Sequence, residues 1–338
     1  MELELKDLKV TLSKKEILHG VNLRVEDGEL ICLLGASGCG KSTLLKTVAG
    51  IIPQHEGSIF IGGSSVDTLP SHKRRAVIVF QDFRLFPHMT VAENIGFPMR
   101  MAGEDRSICE KRASELLDKV QLSGFEQRRI EQMSGGQIQR VALARALAAD
   151  PVVLLLDEPF SSLDVNLRKD MRQLVMDLQR EFRMTTILVT HDHEEALTMS
   201  QRIAFMQEGR ILQYATPEEI YRNPVNQAVA DYFLEGVYLY GEVREGIYSA
   251  SPFRIRTNQP DGRYRCLVKP SAVKIKKAEE AAFLVVEKIY HGDRYLVKFG
   301  HRIEDLVLES YVPDDSPLQV GDGIDLTFHG EKLVFIPE

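Results

Sequence analysis

Four apolar runs of strand length lie between residues 30 and 190, and each stops at a glycine or a polar residue. LICLL (30–34) stops at Gly35, and AVIVF (76–80) stops at Gln81. VVLLL (152–156) stops at Asp157 and Glu158, and TILVT (186–190) stops at His191. Runs without polar alternation suit strands buried on both faces, as in a parallel sheet covered by helices. Ligands of open α/β sheets sit beyond the carboxyl ends of the strands. Gly35, Gln81, Asp157, Glu158 and His191 are therefore expected at one edge. Singly, Gln81 reads equally well as a surface glutamine and His191 as a helix cap. Their shared position at strand ends carries the argument.

The first run leads into Gly35, Ala36, Ser37, Gly38, Cys39, Gly40, Lys41, Ser42 and Thr43, which fit the phosphate-loop pattern G-x-x-x-x-G-K-[ST]. Leu44, Leu45, Val48 and Ala49 then fall on one helical face, and Gly50 supplies a stop. Strand, glycine loop and helix are the context this motif requires. Its backbone N–H groups wrap phosphates, and the helix N-terminus adds positive dipole. Lys41 is expected at the β- and γ-phosphates and Ser42 at Mg²⁺. Phosphoryl transfer asks the protein to position water, hold the metal and neutralise charge. Asp157 is the expected Mg²⁺-side carboxylate. Glu158 suits the base that orients or deprotonates the attacking water; a helix-capping acid before Pro159 is the plainer reading. Gln81 suits both metal and water, and His191 suits the γ-phosphate.

Ser134, Gly135, Gly136 and Gln137 open a helix whose apolar positions are Ile138, Val141, Ala142, Ala146 and Leu147, ending at Asp150-Pro151. Ser134 is a good N-cap. A helix N-terminus with two glycines offers a second anion site. The order of phosphate loop, SGGQ segment and acidic strand resembles the ATP-binding cassette family, near-continuously from residue 3 to about 229. The resemblance implies an ATPase using ATP and Mg²⁺. It implies a head-to-tail pair of copies, in which SGGQ of one completes the ATP site of the other. Ser162-Leu163-Asp164 resembles the segment that crosses this seam. Residues 87–150 correspond to a helical subdomain that meets a membrane permease. Phe83, Phe86, Pro87, Met89 and Val91 either line the cleft for that permease or belong to the core. The family's adenine-stacking aromatic falls at Leu12, and residues 1–30 contain no Phe, Tyr or Trp. Weaker or less base-selective nucleotide binding is the expected consequence.

At 338 residues the chain exceeds one typical domain. The expected class is α/β: a P-loop ABC ATPase domain over 1–235, followed by a small all-β OB-like barrel over 236–338. Short β-rich runs near 267–269, 282–286, 295–299 and 324–328, with turn signals between them, carry the second part. It resembles the TOBE domain of importer ATPases, except that the family's Arg-Pro-Glu stands here as Lys269-Pro270-Ser271. A ligand-binding and a purely structural, dimer-supporting role both remain open there. The net charge of −7 argues against a general affinity for nucleic acid or anionic membranes. No apolar run approaches the roughly 18 residues of a membrane span, and the acidic start is unlike a signal peptide. The four cysteines (Cys32, Cys39, Cys109, Cys266) lack metal-ligand spacing and read as reduced thiols. The expected whole is the ATPase of a solute importer at the cytoplasmic face of a membrane. Its expected partners are permeases and, indirectly, a periplasmic or extracellular substrate-binding protein. Its cargo is ferric ion, a polyamine, an oxyanion or a sugar. A soluble ABC protein acting on nucleic acid or ribosomes, and a P-loop kinase, are the rival readings.

Overall fold

The apolar runs become strands of one sheet. The computed structural model describes residues 1–338 and divides into two units, Met1–Pro217 and Glu218–Glu338. The first begins with β1 (Leu3–Leu12), β2 (Lys15–Val25), β3 (Leu30–Leu34), α1 (Lys41–Val48), β4 (Glu56–Ile61), β5 (Ser64–Ser65) and β6 (Ala76–Val79). Three helices follow: α2 (Val91–Met101), α3 (Arg106–Lys119) and α4 (Gly135–Ala148). The unit closes with β7 (Val153–Asp157), α5 (Val165–Phe182), β8 (Thr185–Val189), α6 (His193–Met199), β9 (Arg202–Gln207) and β10 (Arg210–Ala215).

Six strands form a sheet in the order β10-β9-β3-β8-β7-β6. Neighbours from β9 to β6 run parallel, and β10 is antiparallel. Every residue of β3, β7 and β8 is buried, which is why their sequences show no alternation. Leu44, Leu45 and Val48 of α1 join Leu33, Leu155 and Ile187 in the core.

A second, antiparallel sheet of order β2-β1-β4-β5 shares that core through Leu3, Leu5, Leu8, Leu18, Val21 and Ile59. Only its acidic, alternating start is visible in the sequence. Its alternation breaks because the register shifts between Leu5 and Leu8, with Asp7 at φ 46°. In the helical segment, Thr90 and Glu93 form a reciprocal cap on α2, as Ser134 and Gln137 do on α4.

The second unit begins earlier than the 235/236 boundary read from the sequence. Helices α7 (Pro217–Arg222) and α8 (Gln227–Phe233) belong almost wholly to it. Lys269 lies 4.8 Å from the Tyr221 ring, Tyr238 bonds to Asp231, and Arg265 bonds to Gln227. Ten antiparallel strands between Val237 and Pro337 form two five-stranded sheets. Leu239, Val243 and Tyr248 of one sheet share a core with Val285, Val297 and Phe299 of the other.

Candidate nucleotide site

The register of the parallel strands brings their ends together. Val189 stands opposite both Leu33 and Asp157, and Val79 stands opposite Leu156. Gly35, His191, Glu158 and Gln81 each follow one of these paired positions by two residues, so all reach the same edge.

Gly35 makes the turn out of β3 at φ 149°, where a Cβ would stand 2.0 Å from the Met206 carbonyl oxygen. Ala36, Ser37 and Gly38 are exposed, whereas Cys39, Gly40 and Lys41 are buried. Lys41 Nζ donates to the carbonyls of Gly35 (2.7 Å) and Ala36 (3.1 Å), so the ammonium is held inside its own loop. Half-buried Ser42 and Thr43 open α1. Ser42 Oγ donates to Asp157 Oδ1 at 3.1 Å. Burial pushes the Asp157 carboxyl above its ordinary range; the Ser42 bond opposes this and the nearby Glu158 charge adds to it. This hydroxyl–carboxylate pair is a hard oxygen donor set of the kind Mg²⁺ takes.

Glu158 sits at φ 48°, its amide bonded to the Val189 carbonyl at 3.0 Å. Its Oε2 lies 3.4 Å from His191 Nδ1. Gln81 Nε2 donates to Ser161 Oγ at 3.2 Å, and that hydroxyl donates to the Glu158 carbonyl at 3.0 Å. The sequence reading missed Ser161, because a serine two residues after Pro159 carries no signal of its own.

Ser134 and Gln137 hydrogen-bond to each other, and Ser134 and Gly135 are exposed. Gly136 is buried against α5, where a Cβ would stand 2.4 Å from Leu167 Cδ2. Leu12 is exposed at the end of β1, opposite Lys15 across the Ser13-Lys14 turn. Beside Ala36 to Cys39 opens a cleft of about 370 Å³, lined by Lys15, Glu16, Ile17 and His19 of β2 and by the 207–209 turn. Leu12 is not part of this lining. Sequence reasoning did not find the β2 residues, which only the hairpin places beside the loop. Of the permease-cleft candidates, Val91 is buried core, Phe86 packs on Phe97 at 4.6 Å, and Pro87 is exposed.

A phosphate loop, a hydroxyl–carboxylate pair and an adjoining glutamate–histidine pair at one sheet edge define a P-loop nucleoside triphosphatase. The family described as ABC transporter matches residues 18–161. The Fe(3+) ions import ATP-binding protein FbpC of Escherichia coli O157:H7 is 37% identical over 90% of this chain and 89% of its own length. The spermidine/putrescine import ATP-binding protein PotA of Roseobacter denitrificans is 50% identical over 64% of this chain and 60% of its own length. The dimeric post-hydrolysis structure of the ATP-binding cassette MJ0796, bound to ADP and Pi, superposes with a TM-score of 0.57 at 32% identity, covering 64% of this chain and 98% of that one. The chain belongs to the ABC transporter family, as an ATP-hydrolysing subunit of the import type that works with ATP and Mg²⁺. No helix is long and apolar enough to cross a membrane.

Proposed function

We propose that two copies of this chain close head to tail on two ATP molecules and drive solute import through permease partners. The observation that carries the hydrolytic part of this reading is the pairing of Ser42 with Asp157 at 3.1 Å and of Glu158 with His191 at 3.4 Å. Gly35 to Thr43 wrap the phosphates with backbone N–H groups, and Lys41 turns from its own loop carbonyls to the β- and γ-phosphates. Ser42, Asp157 and Gln81 hold Mg²⁺, which when bound neutralises charge on the phosphate oxygens. Glu158 takes a proton from the attacking water, His191 holds the γ-phosphate, and Ser161 keeps Gln81 beside Glu158. Ser134, Gly135, Gly136 and Gln137 of one copy dock on the γ-phosphate of the other. The base rests against the β1–β2 hairpin, with Leu12 in place of an aromatic.

The dimer in the MJ0796 structure and the import role of the relatives support this reading. It places the protein peripherally at the cytoplasmic face of a membrane, with a substrate-binding protein on the far side. The relatives are ATP-binding proteins for import of Fe(3+) ions or of spermidine and putrescine; the ATPase touches no cargo, so the cargo is set by those partners. The second unit, two five-stranded antiparallel sheets sharing one core, is read as a TOBE-type domain.

Glu158→Gln keeps the shape and removes the base. ATP should still bind, turnover should fall by about 10²–10⁴-fold, and a closed dimer should accumulate on size exclusion. Lys41→Ala should instead weaken ATP binding itself. Near-wild-type turnover in Glu158→Gln refutes the assignment.

A further inference from the structure

His191 is held by its neighbours on both sides. Thr190 Oγ1 donates to Glu195 Oε2 at 2.5 Å and accepts from the Asp192 amide at 3.0 Å. Asp192 Oδ1 caps α6, accepting from the amides of Glu194 (2.8 Å) and Glu195 (3.2 Å). Two arginines of α5 meet this cluster. Arg172 Nη2 reaches Asp192 Oδ2 and Glu195 Oε1, each at 3.2 Å. The Arg172 and Glu195 side chains are 13% and 4% exposed, so this brace is shielded from solvent and stiff.

One turn earlier, Arg168 makes a different connection. Its Nη2 donates to the Leu163 carbonyl at 3.1 Å, and its Nη1 lies 3.6 Å from Asp192 Oδ2. Its Nε is buried without a hydrogen-bond partner. Leu163 lies in the segment Ser162-Leu163-Asp164, and Asp164 caps α5 through the Leu167 amide. One guanidinium thus grips that segment with one arm and the residue after His191 with another. An ion pair serving only to dock α5 on α6 would have no need of the Leu163 carbonyl. Arg172 already supplies that docking.

We propose that Arg168 is a positioning residue that carries displacement of the Ser162-Leu163-Asp164 segment to the His191 loop through Asp192. The inference rests on the reading that this segment faces the second copy and that His191 belongs to the ATP site. Docking of the partner on the exposed Ser162 and Asp164, which flank buried Leu163, then sets the distance between His191 and Glu158. ATP affinity, which depends on the phosphate loop, is untouched.

The test is a double-mutant cycle in steady-state ATPase activity of the full chain with Mg²⁺ and ATP, beside nucleotide binding and thermal melting. Arg168→Gln removes the charged fork. Asp192→Asn removes the charge that both Arg168 and Arg172 face but keeps the helix cap, since asparagine caps as well as aspartate, and Arg172→Gln measured alone reports what loss of the docking brace costs. Each should lower kcat about tenfold with KM for ATP within about twofold of wild type. The double variant should be no slower than the worse single, and Arg168→Lys should recover part of the rate. Losses that multiply, or kcat of Arg168→Gln within about twofold of wild type, overturn the proposal. If Arg168→Gln does not fold, Asp192→Asn and Arg168→Lys decide, and unchanged kcat in both overturns it. Glu158→Gln separates the two levels. If it turns over normally, the site reading fails and takes this inference with it. If it is dead while the cycle is additive, only the Arg168 link fails.

Discussion

Two glycines of the phosphate loop separate conformational strain from steric exclusion. Gly35 and Gly38 both have positive φ, 149° and 80°. An alanine at Gly38 meets nothing within 4 Å. Gly38→Ala should therefore cost only the left-handed backbone penalty, about 1–2 kcal/mol. At Gly35 the new Cβ would stand 2.0 Å from the Met206 carbonyl oxygen and 2.9 Å from Cys39 Sγ. Ordinary contact needs roughly 3.5 Å, so β3 and β9 would have to part by more than about 1 Å. Met206 follows Phe205, which pairs with Leu34, so parting opens the ladder between two buried strands. Losing two ladder bonds at about 1 kcal/mol each, on top of backbone strain, brings the cost to about 3–4 kcal/mol. Urea unfolding followed by far-ultraviolet circular dichroism measures it, since the chain has no tryptophan. A chain of two units need not unfold in one step. The relevant transition is the one that added ATP moves to higher urea, because binding stabilises the unit that holds it. Equal midpoints for Gly35→Ala and Gly38→Ala would refute the steric argument.

Leu12→Tyr, at an exposed position at the end of β1, should tighten ATP binding by up to about tenfold, in line with roughly 1 kcal/mol of base stacking. The wild type should prefer ATP over GTP only weakly in competition binding, and a strong preference would assign the base to other residues. Mixing a Ser134→Arg chain with a Lys41→Ala chain leaves one ATP site intact in the mixed dimer. Two inactive homodimers should therefore yield a partly active mixture, and none despite proven mixed dimers would mean strict coupling or action within one chain. Because burial raises the Asp157 pKa, protons compete with the metal at this carboxyl at higher pH than at an ordinary aspartate. Mg²⁺ affinity, titrated calorimetrically with a non-hydrolysable ATP analogue, should accordingly begin to fall above the usual carboxylate range as pH drops, and Asp157→Asn should abolish that dependence.

The sheet edge was legible because burial on both faces leaves unbroken apolar runs, and polar residues at their ends stand out. The start of α4 was legible because Ser134 satisfies an amide donor that would otherwise be orphaned, whereas the caps that Thr90 and Asp164 supply to α2 and α5 went unread. The antiparallel sheet was hidden by its bulge, which moves the apolar positions out of period. Helices α7 and α8 looked continuous with the first unit, since their attachment to the second runs through long-range pairs such as Gln227 with Arg265. The cleft residues of β2 and the arginine pair of α5 were invisible for a related reason. Lysine, glutamate and arginine on amphipathic elements read as solvated faces until tertiary pairing brings Arg172 to Glu195 and Glu16 beside Ser37.

The strand order has one last mechanical consequence. β3, β7 and β8 are each hydrogen-bonded on both sides, and they carry the phosphate loop, the two acids and the histidine. Gln81 hangs from β6, a four-residue strand bonded to β7 alone. Gln81 is therefore the one site residue whose strand is laddered on a single side. Its place is fixed instead by side chains: Ser161 receives its amide, and Arg145 bonds the carbonyls of Phe83 and Arg84 just beyond it. That asymmetry comes from where the sheet ends, with no glycine between Val79 and Thr90.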